Sequence, residues 1–168
     1  DNMNGRRNKN IEAELQTVLD QGGIVWAIGD VHGYAETLSE LIETLNLSSR
    51  DRVVLLGDLV DRGPNSCEVI RIARENPQIF SVLGNHEEMM LKSFDVENIG
   101  MMTPLQAGWF YIGGRATSLS YINAFTNSSG ELEEFNLRYR VGKDLAWLDS
   151  LPHHIVLEDF RLVHAGYS

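Results

Sequence analysis

The sequence predicts an α/β fold built on a parallel sheet, and three observations carry that prediction. The segments "IVWAI" (24–28), "RVVLL" (52–56) and "IFSVL" (79–83) are continuous apolar runs of strand length, rich in β-branched residues. Segments of helical periodicity separate them. Each run ends in a glycine-led polar motif. Strands apolar along their whole length are buried on both faces, as parallel strands beneath helices are.

The elements follow in chain order. Residues 1–10, "DNMNGRRNKN", are polar and read as a flexible tail. Residues 11–168 then form one domain. Ile11, Leu15, Val18 and Leu19 recur at helical spacing, so 11–20 is a helix ended by Gly22 and Gly23. After the first strand, Leu38, Leu41, Ile42 and Leu45 mark an amphipathic helix. After the second, Val69, Ile72 and Ala73 mark another over 65–75, with Pro64 at its start. A further helix is expected over 86–94, after the third strand. Periodicity weakens over 95–142, which reads as a cap or variable insertion with short helices and loops. "KDLAWLDSLP" (143–152) predicts a helix stopped by Pro152. "HIVLE" (154–158) and "FRLVH" (160–164) predict a strand pair turning near Asp159.

Composition bounds what such a domain does. The chain has 168 residues, 43% of them hydrophobic, enough for one domain with a real core. Its net charge of −10 argues against nucleic acid and anionic membrane as partners. Phosphate esters are not excluded, because carboxylates that gather cations reverse the local sign. Cys67 is the single cysteine, so no internal disulfide forms. With no apolar run near the ~18 residues of a membrane span, and no leader-like core, the expectation is a cytoplasmic protein. The first residue is Asp1, which suggests a lost leader or a piece of a longer chain.

The chemistry lies at the strand ends. The first strand runs into "GDVHG" (29–33), the second into "GDLVDRG" (57–63) and the third into "GNHEE" (84–88). Ligands of open parallel sheets gather outside the strands' carboxyl ends. Asp30, His32, Asp58, Asp61, Arg62, Asn85 and His86 are therefore expected to converge. Clustered carboxylates repel unless a cation sits among them. Adding imidazole and an amide carbonyl gives a mixed oxygen and nitrogen set, suited to Mn²⁺, Fe or Zn²⁺ rather than to Ca²⁺ or Mg²⁺. Two such ions about 3.5–4 Å apart clamp an in-line displacement at phosphorus and make hydroxide available at neutral pH. A planar guanidinium such as Arg62 suits phosphate oxygens. Each motif alone has a plainer reading, as a turn or, for "GNHE", a helix start with Asn85 as N-cap and Glu88 completing a capping box.

Together, "GDVHG", "GDLVDRG" and "GNHE" resemble the signature of the PPP-type metallophosphoesterases, a calcineurin-like family. It includes serine/threonine protein phosphatases and symmetrical diadenosine tetraphosphatases. The resemblance spans 24–92 and resumes at "LVHAG" (162–166). "GNHEEMML" and "WFYIGG" are most similar to the branch typified by the bacteriophage lambda phosphatase. It implies a layered α/β/β/α fold with the active site at strand carboxyl ends. It further implies that Asp30, His32 and Asp58 bind one metal, and that Asp58, Asn85 and His164 bind a second. Arg62 and Asn85 would hold the phosphate, and His86, oriented by Asp61, would protonate the leaving oxygen. The implied cofactors are two divalent ions, Mn²⁺ first, with Fe or Zn²⁺ as others.

The implied activity is hydrolysis of phosphate monoesters by two-metal hydroxide attack, with phosphoserine and phosphothreonine in proteins as substrates. A small phosphoester is the other substrate class, and a symmetrical diadenosine tetraphosphate hydrolase is the alternative enzyme. The family continues beyond "HAG" with a phosphate-binding Arg and a Gly-His ligand, positions this sequence does not contain. The chain is therefore expected to lack C-terminal strands, and a catalytically weak metal-binding protein is a further alternative.

Other residues receive plainer readings. His153 and His154 are expected to begin a surface strand. Cys67 lacks an Arg six positions on and reads as a small core-facing helix residue. "IGGRATS" (112–118) reads as a turn, with Arg115 able to reach substrate from a cap. Trp26, Trp109 and Trp147 read as packing residues. Met89, Met90, Met101 and Met102 read as core or cap fillers, and "ELEEF" (131–135) as a solvated helix face.

Overall fold

The computed structural model describes residues 5–165. The first four residues of the expected tail and Gly166 of "HAG" lie outside them. Three parallel strands, β1 (Val25–Ile28), β2 (Arg52–Leu55) and β3 (Ile79–Ser81), form a sheet in the order β1-β2-β3. Register pairs Val25 with Arg52 and Ile28 with Leu55, then Val53 with Ile79 and Leu55 with Ser81. The strands therefore end together, and the three polar motifs leave the sheet at one edge.

Side chains alternate across β2 and divide the core. Val53 and Leu55 join a large cluster with Leu38, Ile70, Met90 and Leu148. These come from α2 (Ala35–Leu45), α3 (Ser66–Glu75), α4 (Asn85–Ser93) and α7 (Glu134–Ser150). Val54 points the other way, into a smaller cluster with Leu15, Val82, Ile155 and Leu157. That face is covered by α1 (Lys9–Asp20) and by the antiparallel pair β4 (His154–Val156) and β5 (Arg161–Val163). Helices, parallel sheet, hairpin and helix thus make the α/β/β/α layering.

Several expectations change. β1 was expected to be buried, yet Trp26 and Ala27 are exposed, because β1 is an edge strand and no described element covers them. The tail is held over its last residues. Arg6 donates to Leu151 O, Arg7 pairs with Glu12, and Asn8 caps α1 by accepting from the N–H groups of Asn10 and Ile11. Helix α3 is capped by Asn65, whose side chain accepts from Glu68 N, so Pro64 lies just outside it. Helix α7 begins at Glu134, well before the expected 143, and takes up the end of "ELEEF". "IGGRATS" is helical, not a turn. α5 (Ala107–Trp109) runs through a π-helical segment, Phe110–Gly114, into α6 (Arg115–Ala124), with a kink at Gly113 (φ 118°). His154 is buried at the start of β4 rather than at the surface. Among the methionines of the described residues only Met90 is buried; Met101 and Met102 are 61% and 67% exposed.

Candidate metal centre

The loops after β1 and β2 are laced together by main chain, and the loop after β3 packs closely against the second. Asp58 O accepts from the N–H groups of both Val31 and His32, at 3.0 and 2.8 Å. Leu59 O accepts from Gly33 N, and His32 O from Gly63 N at 2.9 Å. The contact is so close that a Cβ on Gly63 would lie 2.0 Å from His32 O. Gly84 is equally constrained, since its Cβ would fall 2.4 Å from Asp58 N. His32, Asp58, Asp61 and Arg62 all adopt left-handed conformations, with φ of 42°, 51°, 74° and 72°. Such backbone costs free energy in non-glycine residues and concentrates where function requires a particular placement.

That placement aims two imidazoles at one carboxylate. His32 Nδ1 lies 2.8 Å from Val60 O and His164 Nδ1 lies 2.9 Å from Leu56 O. A carbonyl oxygen only accepts, so both Nδ1 atoms carry the hydrogen, and in the neutral rings Nε2 presents a lone pair. His32 Nε2 is 3.5 Å from Asp58 Oδ2, and His164 Nε2 is 3.4 Å from Asp58 Oδ1. Each oxygen of Asp58 thus faces a different ring. Asp30, with its side chain 62% exposed, comes within 4.0 Å of His32 Nε2. Asn85 Oδ1 lies 2.7 Å from His164 Nε2. Lone pairs facing carboxylate oxygens repel, and a cation shared among them removes the repulsion. Carbonyl oxygens that fix a ligating histidine's tautomer are the usual partners of such sites. The donor set therefore fits divalent metal.

Asn85 reaches this position because it does not cap α4. Gly84 occupies the cap, and Asn85 is the first helical residue. Ligand-capable atoms of Asp30, Asp58 and His164 lie within 4.8 Å of one another, and so do those of His32, Asp58 and His86. His86 is engaged elsewhere on both nitrogens. Nδ1 is 2.7 Å from Asp61 Oδ2, and Nε2 is 3.3 Å from Arg62 Nη2. The structure brings all eight residues singled out in the sequence to this one place. His153 instead pairs its Nδ1 with Arg6 N, and Arg115 is exposed on α6.

Three buried side chains that support the cluster were not singled out as site residues in the sequence. Glu87 is fully buried; its Oε2 accepts from Asp58 N at 3.0 Å and its Oε1 from Leu59 N. Burial, with the Asp58 charge adding, pushes its carboxyl up to about 7. Trp109 Nε1 lies 3.0 Å from both oxygens of Asp61, and Thr117 Oγ1 lies 2.7 Å from Asp61 Oδ1. Burial raises the Asp61 carboxyl above its ordinary range, against the hydrogen bonds from His86, Thr117 and Trp109 that lower it. Glu87 was legible as part of "GNHEE", two positions from Asn85, but a glutamate there reads as helix surface. Trp109 and Thr117 lie far along the chain in the segment of weakest periodicity.

Comparison with known proteins agrees with this geometry. A curated relative, serine/threonine-protein phosphatase 2 of Escherichia coli (strain K12), is 34% identical over 88 residues, 52% of this chain and 40% of its own. The symmetrical bis(5'-nucleosyl)-tetraphosphatase of Paracidovorax citrulli (strain AAC00-1) is 46% identical over 69 residues, 40% of this chain and 25% of its own. The chain thus spans less than half the length of either relative. A protein serine/threonine phosphatase from Saccharomyces cerevisiae shares the fold, with a TM-score of 0.53 and 20% identity over 95% of this chain and 48% of that one. The calcineurin-like phosphoesterase family profile matches residues 24–167. With its three strand-end motifs converging on Asp58, this chain belongs to the calcineurin-like phosphoesterase family.

Proposed function

We propose that this chain carries the catalytic site of a metal-dependent phosphatase acting on phosphate monoesters, with phosphoserine and phosphothreonine in proteins as the substrate class. The observation that supports it most is the pair of imidazoles, each fixed by a backbone carbonyl and each facing a different oxygen of Asp58. Asp30, His32 and Asp58 hold one divalent ion, and Asp58, Asn85 and His164 hold another. When bound, such ions neutralise phosphoryl charge and lower the pKa of water enough for it to attack at neutral pH.

The remaining chemistry belongs to side chains. Arg62 and Asn85 bind the phosphoryl oxygens, Arg62 as a planar fork. Arg62 Nη2 now sits against His86 Nε2, where it can only donate, so Nε2 is the acceptor. Phosphate drawing Arg62 away frees Nε2 to take up a proton from water. As the bond from phosphorus to the leaving oxygen breaks, His86 delivers that proton to the oxygen, and Asp61 holds the ring by Nδ1.

The test is hydrolysis of 4-nitrophenyl phosphate by the chain with Mn²⁺. Asp58→Asn is expected to lose more than the roughly 100-fold that removal of an outer-shell partner costs. Activity that survives both chelation and Asp58→Asn sinks the metal reading. Mn²⁺ binding without hydrolysis favours a catalytically weak metal-binding protein. The 46% identity to the tetraphosphatase of Paracidovorax citrulli favours a second reading, cleavage of dinucleoside tetraphosphates. A phosphopeptide assayed beside diadenosine tetraphosphate separates the two.

A further inference from the structure

The geometry points to Trp109 and Thr117 as positioning residues for the Asp61–His86 pair. This role rests on the reading of His86 as the proton donor. Asp61 is fully buried, and both its oxygens are occupied. Oδ2 receives His86 Nδ1 at 2.7 Å and Trp109 Nε1 at 3.0 Å. Oδ1 receives Thr117 Oγ1 at 2.7 Å and the same indole N–H at 3.0 Å. The indole bridges the two oxygens, so the carboxylate plane has little freedom to turn. Thr117 works from both sides, since its oxygen also accepts Asp61 N–H at 2.8 Å. It thereby holds a residue whose backbone is left-handed.

The same stretch of chain reaches the neighbouring residue. Trp109 and Thr117 flank the π-helical segment, a local form frequent at functional sites. Within it, Gly113 O accepts from Arg62 N at 3.1 Å. A side chain at Gly113 would place its Cβ 2.7 Å from Arg62 Cγ. The indole can sit where it does because Gly114 has no side chain; a Cβ there would lie 2.3 Å from the ring. Phe94 and Phe110 pack around it with ring centroids 5.3 and 5.7 Å away. One segment outside the strand-end motifs thus fixes the carboxylate that aims the proton donor and the backbone of the phosphate-binding arginine. Packing alone would need neither the indole N–H nor the Thr117 hydroxyl. Trp109→Phe and Thr117→Val remove them while keeping most of the volume.

The test has two arms on the full chain. In the metal-free protein labelled with ¹⁵N-histidine, the His86 Nδ1–H is expected as a downfield resonance protected from water. Trp109→Phe and Thr117→Val broaden or abolish it, and Thr117→Ser, which keeps the hydroxyl, retains it. A resonance unchanged in both variants overturns the inference. Should Trp109→Phe fail to fold, the Thr117 pair decides. In the second arm, kcat is compared for phenyl phosphate, a poor leaving group, and 4-nitrophenyl phosphate, a better one. Misaligning the donor is expected to raise the 4-nitrophenyl to phenyl ratio about tenfold, a fraction of what general acid catalysis supplies, with KM unchanged. An equal loss on both esters counts against positioning. His86→Asn is the control: if it leaves the ratio unmoved, the proton-donor reading fails, and the resonance alone judges the positioning.

Discussion

Glu87 shows how much a single buried side chain supports here. Its carboxylate terminates two main-chain N–H groups, those of Asp58 and Leu59, at the turn where Asp58 takes φ 51°. Removing it strands both donors away from water, and a buried unsatisfied group costs about 1–3 kcal/mol. With two such groups, Glu87→Ala is therefore expected to lower stability by roughly 2–6 kcal/mol, and to weaken Mn²⁺ binding because Asp58 is no longer held. Chemical denaturation and metal titration check the two effects; wild-type metal affinity in a folded Glu87→Ala protein would falsify the assignment. The residues that the structure gathers around Asp58 were readable in the sequence, because a strand, a glycine and a polar residue in series leave few places for the side chain to go. Glu87, Trp109 and Thr117 were not. Their roles depend on which side chain faces Asp58 or Asp61 after folding, and no local spacing encodes that.

At the scale of elements, the strands were legible because burial on a sheet demands unbroken apolar runs. Helix α7 and the π-helical segment were less so. Polar residues at the start of α7 and glycines at 113 and 114 break the helical pattern, while packing on α3, α4 and α6 supplies the stabilisation that periodicity does not advertise. Strand entry is set by Asp51. Its Oδ1 accepts from Ile24 N at 3.0 Å and its Oδ2 from Ser48 N at 2.8 Å, tying the approaches to β1 and β2. The N–H groups of Ser48 and Ile24 hold its carboxyl below the ordinary 3.8. A carboxyl depressed by folding stabilises above its unfolded pKa, and that contribution fades as pH falls through the folded value. Asp51→Asn should accordingly melt below wild type at neutral pH, with the gap closing as the pH drops beneath 3.8. Melting curves between neutral and strongly acid pH measure this; a constant gap would show that the charge of Asp51 is not what clamps the strands.

Across the whole molecule, the layered architecture follows from the alternation along β2, while the state of β1 does not. Its run of apolar residues implies cover, yet Ile24, Trp26, Tyr34 and Leu41 are between 36% and 52% exposed around it. β1 also has an unpaired edge among the described residues. An open, apolar strand edge templates pairing with another copy. The net charge of −10 opposes that pairing until salt screens it. The chain is expected to self-associate increasingly from about 50 mM to about 500 mM salt, where the Debye length falls well below 10 Å. Trp26→Lys should suppress this in sedimentation velocity. Association that is insensitive to both salt and Trp26→Lys would place the contact elsewhere.

The loop after β2 has one further consequence. It supplies Asp58, whose two oxygens face the two imidazoles, and also Leu56 O and Val60 O, the carbonyls that set their tautomers. The residue that would join the ions and the groups that orient their ligands are therefore spaced along a few consecutive peptide units. Lengthening or shortening that loop by one unit alters both at once, even if every side chain is kept. For anyone grafting or redesigning this centre, the quantity to preserve is the loop's length and twist, with side-chain identity as the second requirement.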